Sequence, residues 1–177
     1  MENKKLVKLV VAAMFAALCC VATMIIRIPT IGTNGYVNIG DSVVLLCAWL
    51  IGGPYGAAAA GIGSGLADLL AGYATYVPGT FVIKFLMAVV AYVVFKAMTK
   101  VNANKVASYI VSAVLAEVVM VIGYFLYEST LLGYGLAAAT SIGSNMIQGG
   151  TCLVLGTIVV GILESSKAIV RLKSKTE

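Results

Sequence analysis

The residues of this chain that could do chemistry are a few polar and ionisable side chains inside long apolar runs. Two sets of residues follow the spacing i, i+4, i+7, i+11: Glu117, Val121, Tyr124 and Glu128, and then Ser141, Asn145, Gln148 and Cys152. This spacing places each set on one face of a helix. Carboxyl, phenol and amide groups on two neighbouring helices can hydrogen-bond a small polar molecule, so the sequence predicts a shared binding cavity.

The elements that carry these residues are predicted to be membrane-spanning helices. Of the 177 residues, 61% are hydrophobic and 11% are charged, whereas soluble domains carry roughly 25% charged residues. Ten of the twelve Lys and Arg residues form three clusters: Lys4, Lys5 and Lys8; Lys96, Lys100 and Lys105; and Lys167, Arg171, Lys173 and Lys175. Basic residues beside spans stay in the cytoplasm, so each block between clusters should hold an even number of spans. We therefore expect both termini in the cytoplasm and no nucleic-acid partner.

The apolar runs predict an all-α integral membrane protein, a compact bundle of six transmembrane helices in a single domain of residues 1–177. The expected spans are residues 6–26, 38–53, 54–72, 80–96, 106–127 and 138–163. The apolar part of the second span, residues 43–51, is shorter than the ~20 residues that a perpendicular helix needs. Fusing the second and third spans into one kinked helix gives five spans, but it puts the basic ends on opposite faces. Four spans are a further alternative.

Most of the polar residues fall in the outer half of the membrane in this topology. The expected site residues are Asp41, Asp68, Tyr76, Lys84, Glu117, Tyr124, Glu128, Asn145 and Gln148. Among them, Glu117 alone lies near the midplane. Ionisable groups inside a membrane are costly and usually functional, so we expect these residues to line or support a cavity open to the outside. Four loop tyrosines could cap it: Tyr36, Tyr73, Tyr76 and Tyr134.

Structural roles are the alternative for several of these residues. Asp68 and Lys84 could form an ion pair that neutralises both in lipid, and Asp41 could cap the second helix. Interfacial tyrosines also form belts at the level of the lipid headgroups. Asn145 and Gln148 are harder to explain structurally, because two amides on one face, with a serine one turn above, suit hydrogen bonding to a ligand.

The sequence predicts neither an enzyme nor a metal site. The chain has no histidine, and its four cysteines lie in apolar runs without a CxxC pair, so we expect no zinc and no cofactor. There is no Walker A motif for ATP hydrolysis. Ser64 lies in a GxSxG-like segment, but the chain has no histidine to activate it.

Small residues recur every four positions on two of the expected helices. They are Ala12 and Ala16, Ala13 and Ala17, and then Ala57, Gly61 and Gly65. This spacing lets helix backbones approach closely in a membrane, either within one bundle or between subunits. For the third helix we favour packing within the bundle.

The segment from about residue 36 to residue 87 resembles a known family. The matching stretches are NIGD at 38–41, LIGGPYG at 50–56, GSGLADLLAGY at 63–73, YVPGT at 76–80 and IK at 83–84. They look like a substrate-binding S component of an energy-coupling factor (ECF) vitamin transporter of the riboflavin-type group. The chain length and the six expected spans extend the resemblance over the whole chain.

This resemblance implies high-affinity binding of a vitamin at the outer face of a prokaryotic plasma membrane. It also implies three partner subunits, a transmembrane coupling subunit and two cytoplasmic ATPases, which supply the energy. The family's Ala-x-x-x-Ala signature, which docks the coupling subunit, maps onto Ala12 and Ala16 or onto Ala13 and Ala17. The first outer loop, residues 27–38, would be a lid. Related proteins are associated with riboflavin, pyridoxine or the thiamine pyrimidine, and tyrosines with amides suit such flat rings.

Two other classes of function fit the sequence. A self-sufficient secondary transporter would use Glu117 as a proton relay. A structural membrane subunit would bind no small molecule, so no ligand would stabilise it.

Overall fold

The structure is a computed structural model that describes residues 2–30 and 33–166. The third predicted basic cluster lies outside the described residues, as do residues 31 and 32 of the expected lid.

Six α-helices and a short β-hairpin form the described chain. In order they are α1 (Glu2–Ile25), β1 (Arg27–Pro29), β2 (Tyr36–Asn38), α2 (Gly40–Leu46), α3 (Gly53–Leu70), α4 (Val77–Lys100), α5 (Lys105–Leu126) and α6 (Thr140–Ser165). Helix α2 continues into a π-helical turn at Cys47–Ile51, and α5 continues into another at Tyr127–Leu131. A 3₁₀ helix precedes α6 at Gly135–Ala139. The predicted all-α bundle of six helices is confirmed.

Four helical segments are long and apolar enough to cross a membrane. They are Lys4–Ile25, Val77–Lys100, Lys105–Leu131 and Gly135–Ser165. Large apolar side chains such as Met14 and Ile147 point outward from these segments and are 67% and 72% exposed. Exposed apolar surface of this kind is typical of helices that face lipid, and the chain is a membrane protein.

The second predicted span is a short helix at the centre of the bundle. Gly40–Ile51 is apolar but shorter than the other spans, and its residues from Gly40 to Leu50 are buried. Gly52, with a φ of +65°, ends it in a backbone conformation that favours glycine. Helices α2 and α3 are therefore separate and do not form the single kinked helix of the five-span alternative.

The order of the elements gives the bundle two chemically different ends. One end holds the β-hairpin, the α3–α4 connection and the turn after α5. The other holds the α2–α3 break and the α4–α5 connection, with Lys96, Lys100 and Lys105. Lys105 forms an ion pair there with Glu164 at the end of α6. Assigning this basic end to the cytoplasm remains a prediction from the charge pattern.

Helix α3 packs closely against α1 and α4 because small residues line its contact faces. At Gly63, the missing side chain leaves space for the backbone of Ala16 on α1, and Gly61 lies against Phe81 of α4. Ala57 is almost fully buried. The small residues of α3 thus serve packing within the bundle, as their spacing suggested.

Candidate functional site

Six of the nine predicted site residues line one cavity at the hairpin end of the bundle. They are Asp68, Tyr76, Tyr124, Glu128, Asn145 and Gln148. The hairpin, the residue after β1 and α4 complete the wall with Thr30, Gly35, Tyr36, Asn38 and Thr80. The volume of about 20 Å³ holds roughly one water molecule. Polar groups from several helices and the hairpin therefore converge on one small space.

Asp41 and Lys84 lie below the wall as a buried ion pair. The Lys84 Nζ is 2.5 Å from Asp41 Oδ1, and the two side chains are 3% and 1% exposed. The alternative ion pair of Lys84 with Asp68 is therefore wrong, because the central helix α2 brings Asp41 to Lys84. Asp41 lies in the first turn of α2 without a capping hydrogen bond from its side chain. Just before the helix, Asn38 Oδ1 accepts a hydrogen bond from the Gly40 backbone N–H at 2.8 Å.

Gln148 connects this ion pair to the hairpin. Its Nε2 donates to Asp41 Oδ2 at 2.5 Å, and its Oε1 accepts from the backbone N–H of Asn38 at 2.7 Å. Cys152 lies one turn further along α6. Its thiol donates to the Asn38 carbonyl oxygen, with the Sγ atom 3.5 Å away. Helix α6 thus holds strand β2 against the bundle.

The two carboxylates on the cavity wall accept hydrogen bonds from hydroxyl groups. Tyr36 donates to Asp68 Oδ1 at 2.6 Å, and Tyr76 donates to Glu128 Oε1 at 3.0 Å. Ser141 donates to Glu128 Oε2 at 2.5 Å. Burial and the adjacent carboxylates raise the pKa of both tyrosines, so both phenols stay protonated and act as donors.

Asn145 differs from its neighbours on the wall because its amide is unused. The side chain lines the cavity and is 6% exposed. Within the part of the chain that the structure describes, it makes no hydrogen bond. An amide offers two donors and an acceptor, so Asn145 presents free hydrogen-bonding capacity to the cavity.

Glu117 lies apart from the cavity. It is 7% exposed, and neither carboxyl oxygen has a hydrogen-bond partner among the described residues. Its side chain fits against Gly149 at the floor of an apolar groove of about 320 Å³ between α5 and α6. The predicted stripe on α5 therefore divides: Tyr124 and Glu128 reach the cavity, and Glu117 does not.

A wider vestibule of about 510 Å³ adjoins the cavity. Thr30 and Gly35 border both spaces. Tyr73 lines the vestibule, and its ring centroid lies 4.6 Å from that of Tyr36. Of the predicted caps, Tyr36 and Tyr76 form the cavity wall and Tyr73 the vestibule. Tyr134 lines neither space.

Three wall residues with polar side chains were not predicted from the sequence: Thr30, Asn38 and Thr80. Asn38 and Thr80 lie inside the stretches that carry the family resemblance, NIGD and YVPGT, and that signal could have identified them. Thr80 shares a hydrogen bond of 2.9 Å with the Tyr124 hydroxyl. Thr30 lies within the expected lid, but no motif or spacing distinguishes it from its neighbours there.

A second feature lies on the outside of the bundle, between α1 and α3. Ala12, Ala13, Ala16 and Ala17 border one apolar groove of about 760 Å³. The α3 side of this groove includes Tyr55, Ala58, Ile62 and Leu66. The two Ala-x-x-x-Ala pairs therefore share one surface.

No group of three or more cysteine, aspartate or glutamate side chains among the described residues is placed to hold a metal ion.

Comparison with known proteins places these features in a family. The family model "ECF-type riboflavin transporter, S component" matches residues 3–165. The chain is 35% identical over 136 residues to an "uncharacterized protein in gap 3'region" of Pyrococcus woesei, a match that covers 77% of this chain and 87% of that protein.

A solved structure described as "Structure and mechanism of the S component of a bacterial ECF transporter" has the same fold. The TM-score is 0.65 at 18% sequence identity, and the match covers 93% of this chain and 98% of that chain. The resemblance inferred from the sequence is thus confirmed by the family match over nearly the whole length. The chain belongs to the family of S components of ECF-type riboflavin transporters, which are membrane transport proteins.

Proposed function

We propose that this protein captures a small vitamin at the outer face of a prokaryotic plasma membrane. The ligand is a flat heteroaromatic compound such as riboflavin, pyridoxine or the thiamine pyrimidine. Uptake is driven by ATP through a transmembrane coupling subunit and two cytoplasmic ATPases. The observation that carries the proposal is the unused Asn145 amide, buried on a polar cavity beneath the hairpin.

The wall suits a flat polar ring. Tyr36 and Tyr76 provide aromatic faces for stacking, and the Asn145 amide provides donors and an acceptor for the ring edge. The Asp41–Lys84 ion pair holds Gln148 in place on the wall, because Asp41 accepts a hydrogen bond from the Gln148 amide. Aromatic faces together with polar groups that fix the orientation of the ligand are typical of small-molecule binding sites.

Loading requires the hairpin to move. The cavity of about 20 Å³ is far smaller than the roughly 300–1,000 Å³ of ligand sites. The vestibule of about 510 Å³ lies directly outside it. Hydrogen bonds tie the hairpin to the bundle: Tyr36 donates to Asp68, the Asn38 backbone N–H donates to Gln148, and the Cys152 thiol donates to the Asn38 carbonyl oxygen. Breaking them lets strand β2 swing away and joins the two spaces, so we assign the hairpin as the lid.

The groove between α1 and α3 is proposed as the docking face for the coupling subunit. Its alanines leave room for a partner helix to approach closely, and van der Waals packing of this kind drives helix association in lipid. The surface is apolar and faces outward, so it fits a membrane-embedded partner better than a soluble one.

Ligand extraction from the purified protein tests the proposal. Mass spectrometry and an absorbance spectrum should identify one heteroaromatic compound in about equal amount to the protein. Adding that compound to stripped protein should raise the thermal unfolding midpoint, because a tight ligand stabilises the folded state by mass action. A folded protein that is empty and that no vitamin stabilises would contradict it.

A proton-coupled secondary transporter is the second candidate, because Glu117 is a buried acid without a hydrogen-bond partner among the described residues. The groove that it borders is otherwise apolar and offers protons no polar route. Uptake that continues without a coupling subunit and stops when the proton gradient collapses would favour this candidate.

A further inference from the structure

Among the described residues, no basic side chain forms an ion pair with the carboxylates on the cavity wall. Asp68 and Glu128 both line the cavity, and the bonds they receive from Tyr36, Tyr76 and Ser141 come from neutral hydroxyls. Hydroxyl donors solvate a carboxylate but leave its charge uncompensated. A cation is the group that compensates such a charge most effectively.

Two described basic residues lie at this end of the bundle, and neither lines the cavity. Among the described residues they are Lys84 and Arg27. Lys84 is paired with Asp41 below the wall, and its Nζ lies 5.1 Å from the centre of the Tyr124 ring. Arg27 is exposed on β1 and does not line the cavity. The described walls of the space that would receive a ligand therefore carry acids and no base.

The neutral groups on the wall also suit a cation. Positive charges bind favourably over the faces of tyrosine rings, and Tyr36 and Tyr76 lie on the wall next to the two carboxylates. The unused Asn145 amide adds a hydrogen bond for the ring edge. An anionic ligand would instead meet two carboxylates in a desolvated space, which is strongly unfavourable.

We propose that this site selects a vitamin that carries a net positive charge on an amine over neutral flavins and over phosphorylated vitamins. The inference rests on the proposed function, since it concerns the ligand of that same cavity. Asp68 and Glu128 select the charge, and Asn145 orients the ring.

Two probes with the same ring test the proposal. Pyridoxamine carries a protonated amine where pyridoxine carries a hydroxyl group, so the two probes share the same ring and differ chiefly in net charge. Isothermal titration of the purified full-length protein should show pyridoxamine binding about tenfold more tightly, because hydrogen bonds to charged groups are the stronger ones. Riboflavin should bind more weakly than pyridoxamine, and flavin mononucleotide should not bind detectably.

Two variants test which residues select the charge. Asp68→Asn and Glu128→Gln keep the shape of the side chain and remove its charge, so each should reduce the preference for pyridoxamine while pyridoxine still binds. Glu164→Gln, which removes a carboxylate at the opposite end, should keep the full preference. Thermal unfolding of each variant establishes that it is folded.

The outcomes separate this inference from the proposed function. Equal or tighter binding of pyridoxine or riboflavin overturns the selection of charge and leaves the vitamin-binding function standing. A preference for pyridoxamine that survives both substitutions overturns the role of Asp68 and Glu128. If the folded protein binds none of these probes and no other vitamin, the proposed function itself fails.

Discussion

Asn145 and Gln148 lie one turn apart on α6 and have different roles. Gln148 uses its donor for Asp41 and its acceptor for the backbone of Asn38. Asn145 faces the cavity with its amide free among the described residues. An unused buried amide is available to a ligand, whereas a fully used one holds the protein together.

We therefore expect opposite effects from two alanine substitutions. Asn145→Ala should weaken ligand binding about tenfold and leave stability nearly unchanged. Gln148→Ala should lower the free energy of unfolding by about 1–3 kcal/mol, since it leaves buried partners unsatisfied. Titration calorimetry and thermal unfolding measure the two effects. If Asn145→Ala bound the ligand with unchanged affinity, Asn145 would not contact the ligand.

Glu117 is a buried acid whose carboxyl oxygens have no hydrogen-bond partner among the described residues. Replacing it by methionine, which is similar in length and apolar, should raise stability by about 1–3 kcal/mol and leave ligand affinity unchanged. The unfolding midpoint and titration calorimetry measure these two quantities. Ligand binding that persists while uptake is lost would instead give Glu117 a role in transport, as the proton-relay candidate requires.

At the scale of the elements, the contact between α1 and α3 depends on a glycine. A Cβ at Gly63 would meet the backbone oxygen of Ala16, whereas a Cβ at Gly143 of α6 meets nothing within 4 Å. Gly63→Ala should therefore destabilise the protein by about 1–3 kcal/mol through overpacking.

The matched control is Gly143→Ala. It should be neutral or stabilise by up to about 1 kcal/mol, because alanine is the better helix former. Thermal unfolding in one detergent compares the two variants. Equal effects would mean that α1 and α3 are not packed as closely as the structure shows.

The outer surface of α1 gives a second prediction at this scale. Ala13 is exposed at the groove between α1 and α3. Ala13→Leu should fill that groove, leave ligand affinity unchanged and abolish co-purification with the coupling subunit. Ala139→Leu, at an exposed position of the 3₁₀ helix, is the control. Complex formation by Ala13→Leu at the wild-type level would exclude this face as the docking site.

At the scale of the whole molecule, the cavity and the described lysines Lys96, Lys100 and Lys105 lie at opposite ends of the bundle. If the basic end faces the cytoplasm, the lid faces outward. In a Cys20→Ala background, a cysteine introduced at exposed Thr75 should react with a membrane-impermeant maleimide in intact cells. A cysteine at exposed Asn102 should react only after the cells are opened. The reverse pattern would invert the topology.

The sequence by itself determined the features that depend on local order along the chain. The apolar runs predicted the six helices, and the spacing of Ser141, Asn145, Gln148 and Cys152 predicted that these residues share one face of a helix. All four side chains are buried. Such periodicity follows from helix geometry alone and needs no knowledge of the neighbours.

Only the tertiary structure decided which distant residues meet. In the structure, Lys84 pairs with Asp41 rather than with Asp68, and Gln148 bonds the hairpin. Glu117 lies outside the cavity, although Tyr124 and Glu128 from the same stripe line it. These outcomes depend on how α2 sits at the centre of the bundle and how α5 is rotated against α6. Helix packing sets those positions through side-chain shape over long sequence separations, which spacing along a single helix does not encode.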